Sequence, residues 1–271
     1  MKIKLLSLIF ATSLIQFSCI KSKASSAGGM FPNLISEGGK GEVIEKSYLM
    51  NFDELKISTA LKAEVFKADE EKIVVYAPSD LMKYVVVKQN GQAVQIKIDN
   101  TNFKNISTDR IKIKVYAKDF DHLAANSGAS IDLKDNFYFS NLDVHISSSG
   151  TIKGHIYGAN INMEASSSGE YDGEVLAKNL HLMCSSSAGI DIKGKSDSID
   201  VEASSSGDVN AENFTAESAV LATSSSADIT IGVSKSVSAS ASSSGDIKII
   251  KRGNLAEITK NESSSGSVSI L

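Results

Sequence analysis

The sequence predicts an all-β chain, a right-handed parallel β-helix of about 19 to 20 residues per coil, preceded by a strand-rich N-terminal segment that contains a hairpin. The first observation behind this is a recurring corner motif. It appears as Asn126-Ser127-Gly128-Ala129, Ser147-Ser148-Ser149-Gly150, Ser166-Ser167-Ser168-Gly169, Ser185-Ser186-Ser187-Ala188, Ser204-Ser205-Ser206-Gly207, Ser224-Ser225-Ser226-Ala227, Ser242-Ser243-Ser244-Gly245 and Ser263-Ser264-Ser265-Gly266. Anchored on the final Gly or Ala, the spacings are 21, 19, 19, 19, 20, 18 and 21, about one coil of a solenoid. Leucine-rich repeats have a similar length, but their leucine and asparagine ladder is missing. The second observation is alternation with a period of two between the motifs, the mark of a strand with one buried face. The third is composition: 42% hydrophobic residues but only 6% aromatic, no tryptophan and two prolines, so the core must be built from small and β-branched side chains.

Taken in chain order, residues 1–18 combine Lys2 and Lys4 with an apolar run from Leu5 to Phe17, which reads as a signal peptide too short to span a bilayer. Ile15-Gln16-Phe17-Ser18-Cys19 resembles a bacterial lipobox, which makes Cys19 the expected lipidated first residue of the mature chain. Residues 19–42, rich in Ser, Gly and Lys, suit a flexible tether to the membrane. Residues 43–122 form an N-terminal β segment expected to begin and cap the solenoid, with Asn90-Gly91 as a two-residue hairpin signal. Residues 123–271 carry the repeats. The sequence ends mid-strand at Ser267-Val268-Ser269-Ile270-Leu271 with no polar cap following, which motivates pairing of the C-terminal coil with another copy.

Within a coil, parity sorts the side chains. Val201, Ala203, Ser205, Gly207, Val209 and Ala211 form the expected inward set, as do Leu182, Cys184, Ser186, Ala188, Ile190 and Ile192. The middle serines, Ser167, Ser186, Ser205, Ser225 and Ser243, are then buried and need hydrogen-bond partners. The first and third serines face outward as two ladders, including Ser166, Ser168, Ser204, Ser206, Ser224, Ser226, Ser242 and Ser244. These ladders are a candidate binding surface, although a tight corner demands short polar residues on structural grounds alone.

The formal net charge is −4, or −6 without Lys2 and Lys4, and the Lys residues alternate with Asp and Glu, so nucleic acid is not an expected partner. Parallel β-helices also host polysaccharide lyases and hydrolases. Glu170, Asp208, Asp228 and Asp246 align after the corner as a candidate acidic column for such an enzyme, with Asp228 and Asp246 the pair nearest to a weak cation site. Coils of nearly constant length leave little room for cleft-forming loops. His122, His145, His155 and His181 fall at no metal-ligand spacing, and neither a metal nor a cofactor is expected. Cys184 is expected to be a small buried hydrophobe.

The opening Ile44-Glu45-Lys46 to Phe52-Asp53-Glu54-Leu55-Lys56-Ile57, the strand Ile111 to Ala117 and repeated segments such as Ser244-Gly245-Asp246-Ile247 resemble one known family. This is the auto-transporter adhesin, head GIN domain family, common among lipoproteins of Bacteroidetes. The resemblance covers about residues 43 to 271 and implies a β-helical fold, a cell-envelope location and an adhesive or scaffolding role, with no catalytic residues to carry over. The expected function is therefore a non-catalytic, lipid-anchored outer-membrane solenoid that binds a glycan, a protein or another copy of itself. The alternative is a carbohydrate-active β-helix enzyme.

Overall fold

The computed structural model describes residues 36–37, 39–99 and 105–271. The 1–18 leader, Cys19 and most of the 19–42 tether lie outside the described residues. The rest is a β-solenoid of stacked parallel coils. The strands Thr151–Ala165, Glu170–Cys184, Gly189–Ala203, Asp208–Thr223 and Asp228–Ala241 each pair in parallel with the next. Their register puts like on like: Ile161, Leu180, Ile199, Ala219 and Val237 form one buried row. Stacking identical positions gives inward side chains neighbours above and below, so a core mainly of Ile, Val, Leu and Ala packs densely, with a few large aromatics, Phe52, Phe137, Tyr171 and Phe214 among them, fully buried in it.

The long strands are bent. Along Thr151–Ala165 the buried residues are Ile152, Ile156, Ile161, Met163 and Ala165, so alternation breaks twice before resuming. Gly154, at φ 132°, occupies the first bend, in a region that an L side chain rarely enters.

The corner motif is a tight turn. In Ser204-Ser205-Ser206-Gly207 both central residues are left-handed, with φ of 51° and 61°, and the Gly207 N–H donates to the Ser204 carbonyl at 2.9 Å. Positive φ at both central positions is the type I′ geometry. This corrects the expected burial of the middle serine. Ser167, Ser186, Ser205, Ser225 and Ser243 are exposed, because strand parity does not carry through a turn. Parity resumes beyond it, so Val201, Ala203, Gly207, Val209 and Ala211 do point inward. The final Gly is small for a steric reason: a Cβ on Gly207 would sit 2.5 Å from the Cys184 carbonyl oxygen.

Successive turns are bonded to one another. The Ser206 N–H donates to the Ser225 carbonyl and the Ser187 N–H to the Ser205 carbonyl, both at 3.1 Å, and the pattern repeats along the stack. It begins one coil earlier than the motif suggests. Ser58-Thr59-Ala60-Leu61 has the same left-handed pair at Thr59 and Ala60, and the Ala60 N–H donates to the Ser127 carbonyl at 2.9 Å. Nine turns thus form one column among the described residues.

Residues 43–122 close the N-terminal end. Ala93–Ile98 and Lys112–Ala117 continue the parallel stacking under Glu54–Ile57 and Lys62–Lys67. Below them Lys72–Pro78 runs antiparallel to Lys112–Ala117 and to Val43–Leu49, and Val85–Asn90 folds back on Ala93–Ile98 through Gly91 at φ 61°. At the other end, the coil of Glu257–Glu262 and Ser267–Ile270 contains its own polar cover, contrary to the expectation of none. Register aligns Lys260 and Glu262 with the buried Ala239 and Ala241. The Lys260 ammonium donates to the Val268 carbonyl at 2.8 Å and the Val268 N–H donates to the Glu262 carboxylate at 2.6 Å. Charges at inward positions of an edge are a known defence against strand addition.

Candidate functional site

Since the backbone column fixes the coils, outward side chains fall into straight ladders parallel to the solenoid axis. At the turns the exposed pairs are the second and third serines, such as Ser167 with Ser168 and Ser205 with Ser206. The first serines, Ser166, Ser204, Ser224 and Ser242, are half-buried, while Ser168, Ser206, Ser226 and Ser244 are exposed. Ser242 turns its hydroxyl toward the Thr223 carbonyl at 3.4 Å, a bond internal to the fold.

Immediately after the turn, register brings Asp208, Asp228 and Asp246 into one uninterrupted row, and Gly189 separates them from Glu170. All four carboxylates are exposed. The Asp208 carboxyl is pushed above the ordinary carboxylate range, first by partial burial and then by the charges of Asp228 and Asp191. Asp191 in turn accepts from the Asn210 amide at 3.0 Å.

The face before the turn gathers three of the four histidines, which sequence spacing leaves scattered. The His122 Nδ1 lies 2.7 Å from the Asp121 carboxylate and its Nε2 3.3 Å from Asp143. His145 lies 3.2 Å from Glu164 and His181 3.6 Å from Asp200. His122 is held above the usual imidazole range, chiefly by the Asp121 hydrogen bond, although partial burial opposes the shift. Apart from the adjacent pair His122 and Asp121, these contacts join residues 19 to 21 apart and become visible once the register is known. Among the described residues no group of three or more His, Cys, Asp or Glu is arranged to hold a metal. Cys184 is buried, and burial pushes its thiol up to about 11.

A third face presents aromatic rings. Tyr138, Tyr157 and Leu176 follow one another in register, with the Tyr138 and Tyr157 ring centroids 5.3 Å apart. Tyr138 is 68% exposed, and the Lys67 ammonium lies 5.5 Å from its ring centroid. Beside this row the His155 Nδ1 is 3.3 Å from the Asn136 side-chain oxygen, and the Tyr157 hydroxyl donates to the Glu174 carboxylate at 3.5 Å. No sequence motif marks these residues.

The family model described as "Putative auto-transporter adhesin, head GIN domain" matches residues 51–173 and again 159–253. The chain belongs to this family. The head GIN domain family is adhesin-like, which points to the cell envelope or surface. A solved structure titled a putative lipid binding protein, from Parabacteroides distasonis, superposes with a TM-score of 0.80 at 20% identity, covering 86% of this chain and 98% of that one. A putative adhesin from Parabacteroides merdae gives 0.78 at 13% identity, with 86% and 98% covered. Another putative adhesin from Parabacteroides distasonis gives 0.76 at 14% identity, with 86% and 99% covered. At such identity the likeness is one of fold, carried by turn and strand geometry. The comparison with curated proteins found no match.

Proposed function

We propose that this head GIN domain chain is a non-catalytic binding solenoid, attached to the outer membrane by a lipid on Cys19, that presents an outward face to a glycan or a protein. The observation that carries this reading is the column of nine mutually bonded turns. It fixes outward side chains in straight rows about one strand spacing apart, roughly 4.8 Å. Such an array is preorganised, so little conformational entropy is lost when an extended partner lies along it. Self-association through the C-terminal coil is a weaker form of the reading, because Lys260 and Glu262 already hold the Val268 edge groups.

The carbohydrate-active alternative has one observation in its favour, the raised Asp208 carboxyl, since a general acid needs such a shift. Incubating the full chain with a panel of neutral and acidic polysaccharides, host glycoproteins and whole cells separates the two readings. Saturable retention with substrate length unchanged is expected. Depolymerisation that Asp208→Asn abolishes would replace the binding reading with the enzymatic one. Mass spectrometry of the mature N-terminus tests the anchor, with a diacylglyceryl-modified Cys19 as the expected species.

A further inference from the structure

The Tyr138 and Tyr157 row continues into a trough. Leu176, Lys195 and Thr215 extend it in register, and the adjacent row of Gly158, Ala177 and Ser196 forms a floor of small residues. Lys178, Asp197 and Glu217 rise on the other side, and the rows from Leu176 onward line an open hollow of about 450 Å³ that begins beyond the two tyrosines. From Tyr138 to Thr215 the row crosses four coil spacings, about 19 Å at 4.8 Å each. Ser196 is 4% exposed and its hydroxyl has no hydrogen-bond partner within the protein, a costly state for a buried polar group.

We infer that this trough is a subsite for a neutral oligosaccharide, with Tyr138 and Tyr157 as a stacking platform and the hollow beyond them as the hydroxyl-binding end. This deepens the glycan form of the proposed function and rests on it. The side chains select the ligand class. Lys178 and Lys195 stand among Asp197 and Glu217, the latter already ion-paired with Lys235 at 2.6 Å, so charges of both signs are interspersed and neither dominates the walls. They do offer donors and acceptors in alternation, and a sugar hydroxyl is both. Tyrosine faces can bury the C–H side of a sugar ring while the hydroxyl keeps a polar partner, as Tyr157 does with the Glu174 carboxylate. Tyr138 is the only aromatic among the strongly exposed large side chains of the described residues, so a fold with few aromatics places one in water beside this trough. A strip about 19 Å long and three residues wide, about 10 Å, offers on the order of 200 Å², well short of the roughly 1,000 Å² that a stable protein interface buries.

The test uses the full chain and hexasaccharides of glucose and mannose in several linkages, measured by saturation-transfer NMR and titration calorimetry. Heparin fragments and polygalacturonate serve as acidic probes, and whole cells as a general one. Tyr138→Ala and Tyr157→Ala are compared with a Val220→Ala control, at an exposed residue outside the trough, and thermal melting checks that each variant folds. Binding of at least one neutral hexasaccharide is expected, weakened about tenfold by Tyr138→Ala and unaffected by the control. Neutral-glycan binding that survives both tyrosine substitutions overturns the trough and leaves the binding solenoid standing. Retention on acidic glycans or cells alone does the same. Retention on nothing overturns both.

Discussion

Replacing Lys260 and Glu262 by alanine gives the last coil the inward residues of the coil before it, where Ala239 and Ala241 occupy the same register. Two charge-assisted bonds to Val268 are lost, and with them the occupation of that residue's edge N–H and C=O. Both side chains are exposed, so solvent screening reduces each bond well below the value for a buried one, and about 1 to 2 kcal/mol in total is a reasonable expectation. In a solenoid each coil is stabilised mainly by its neighbour, so the loss falls on the last coil and leaves the global melt little changed. Amide hydrogen exchange along Ser267–Ile270 should accelerate about 5- to 30-fold. Sedimentation velocity over a wide concentration range should show self-association in the double variant and not in the parent, since an apolar end with unpaired edge groups is a template for another chain. Glu262→Gln, which keeps an acceptor for the Val268 N–H, should remain monomeric. Unchanged exchange and sedimentation in the double variant would refute the idea that these two residues close the end.

Ser205→Gly with Ser206→Gly removes two left-handed L residues, at φ 51° and 61°, whose side chains make no hydrogen bond within the protein. The relief exceeds the added entropy of glycine, so the melting temperature should rise by about 2 to 4 °C; a fall would show that the hydroxyls stabilise the turn. Glycan retention measured on the same variant reveals whether this part of the serine row also contacts a ligand. Asp208 supplies a pH-dependent case. Its raised carboxyl means that the folded chain holds the proton more tightly than the unfolded chain does. Ionising it therefore subtracts stability, with no deficit below the unfolded value of about 3.9 and the full deficit above the raised one. Asp208→Asn should melt higher than the parent at neutral pH and equally near pH 3, and a pH-independent difference in melting temperature would contradict this.

The solenoid is legible because its cause is local and repeated. Ser-Ser-Ser-Gly specifies a two-residue left-handed turn with a close backbone contact behind it, and a turn of one kind at constant spacing leaves parallel stacking as the outcome. What the motif hides is where its own side chains go. Period-two counting is valid only while the backbone stays extended, so it assigns Ser205 inward although the same residue forms the turn that interrupts the strand. Ser58-Thr59-Ala60-Leu61 makes the same turn without the motif, because the geometry needs two residues that tolerate positive φ beside a neighbour that can bond to them, and Thr59 and Ala60 meet that need through Ser127.

The surface is less legible for a different reason. Tyr138 and Tyr157, or His145 and Glu164, lie 19 residues apart, and each pair becomes one site only when the register of two coils is fixed to the residue. Alternation tells which residues face water, and register tells which of those touch. The coil from Ser205 to Ser225 is one residue longer than the coil from Ser186 to Ser205, and the extra residue is absorbed by a bulge within the strand, between Asn210 and Phe214 opposite Asp191 and Gly194, instead of shifting the whole face. The ladders on either side of that bulge therefore remain aligned, and a partner that follows the axis meets the same chemistry along several coils. This is why the trough from Tyr138 to Thr215 stays continuous across the irregular coil, and why substitutions at its two ends should affect one ligand in common.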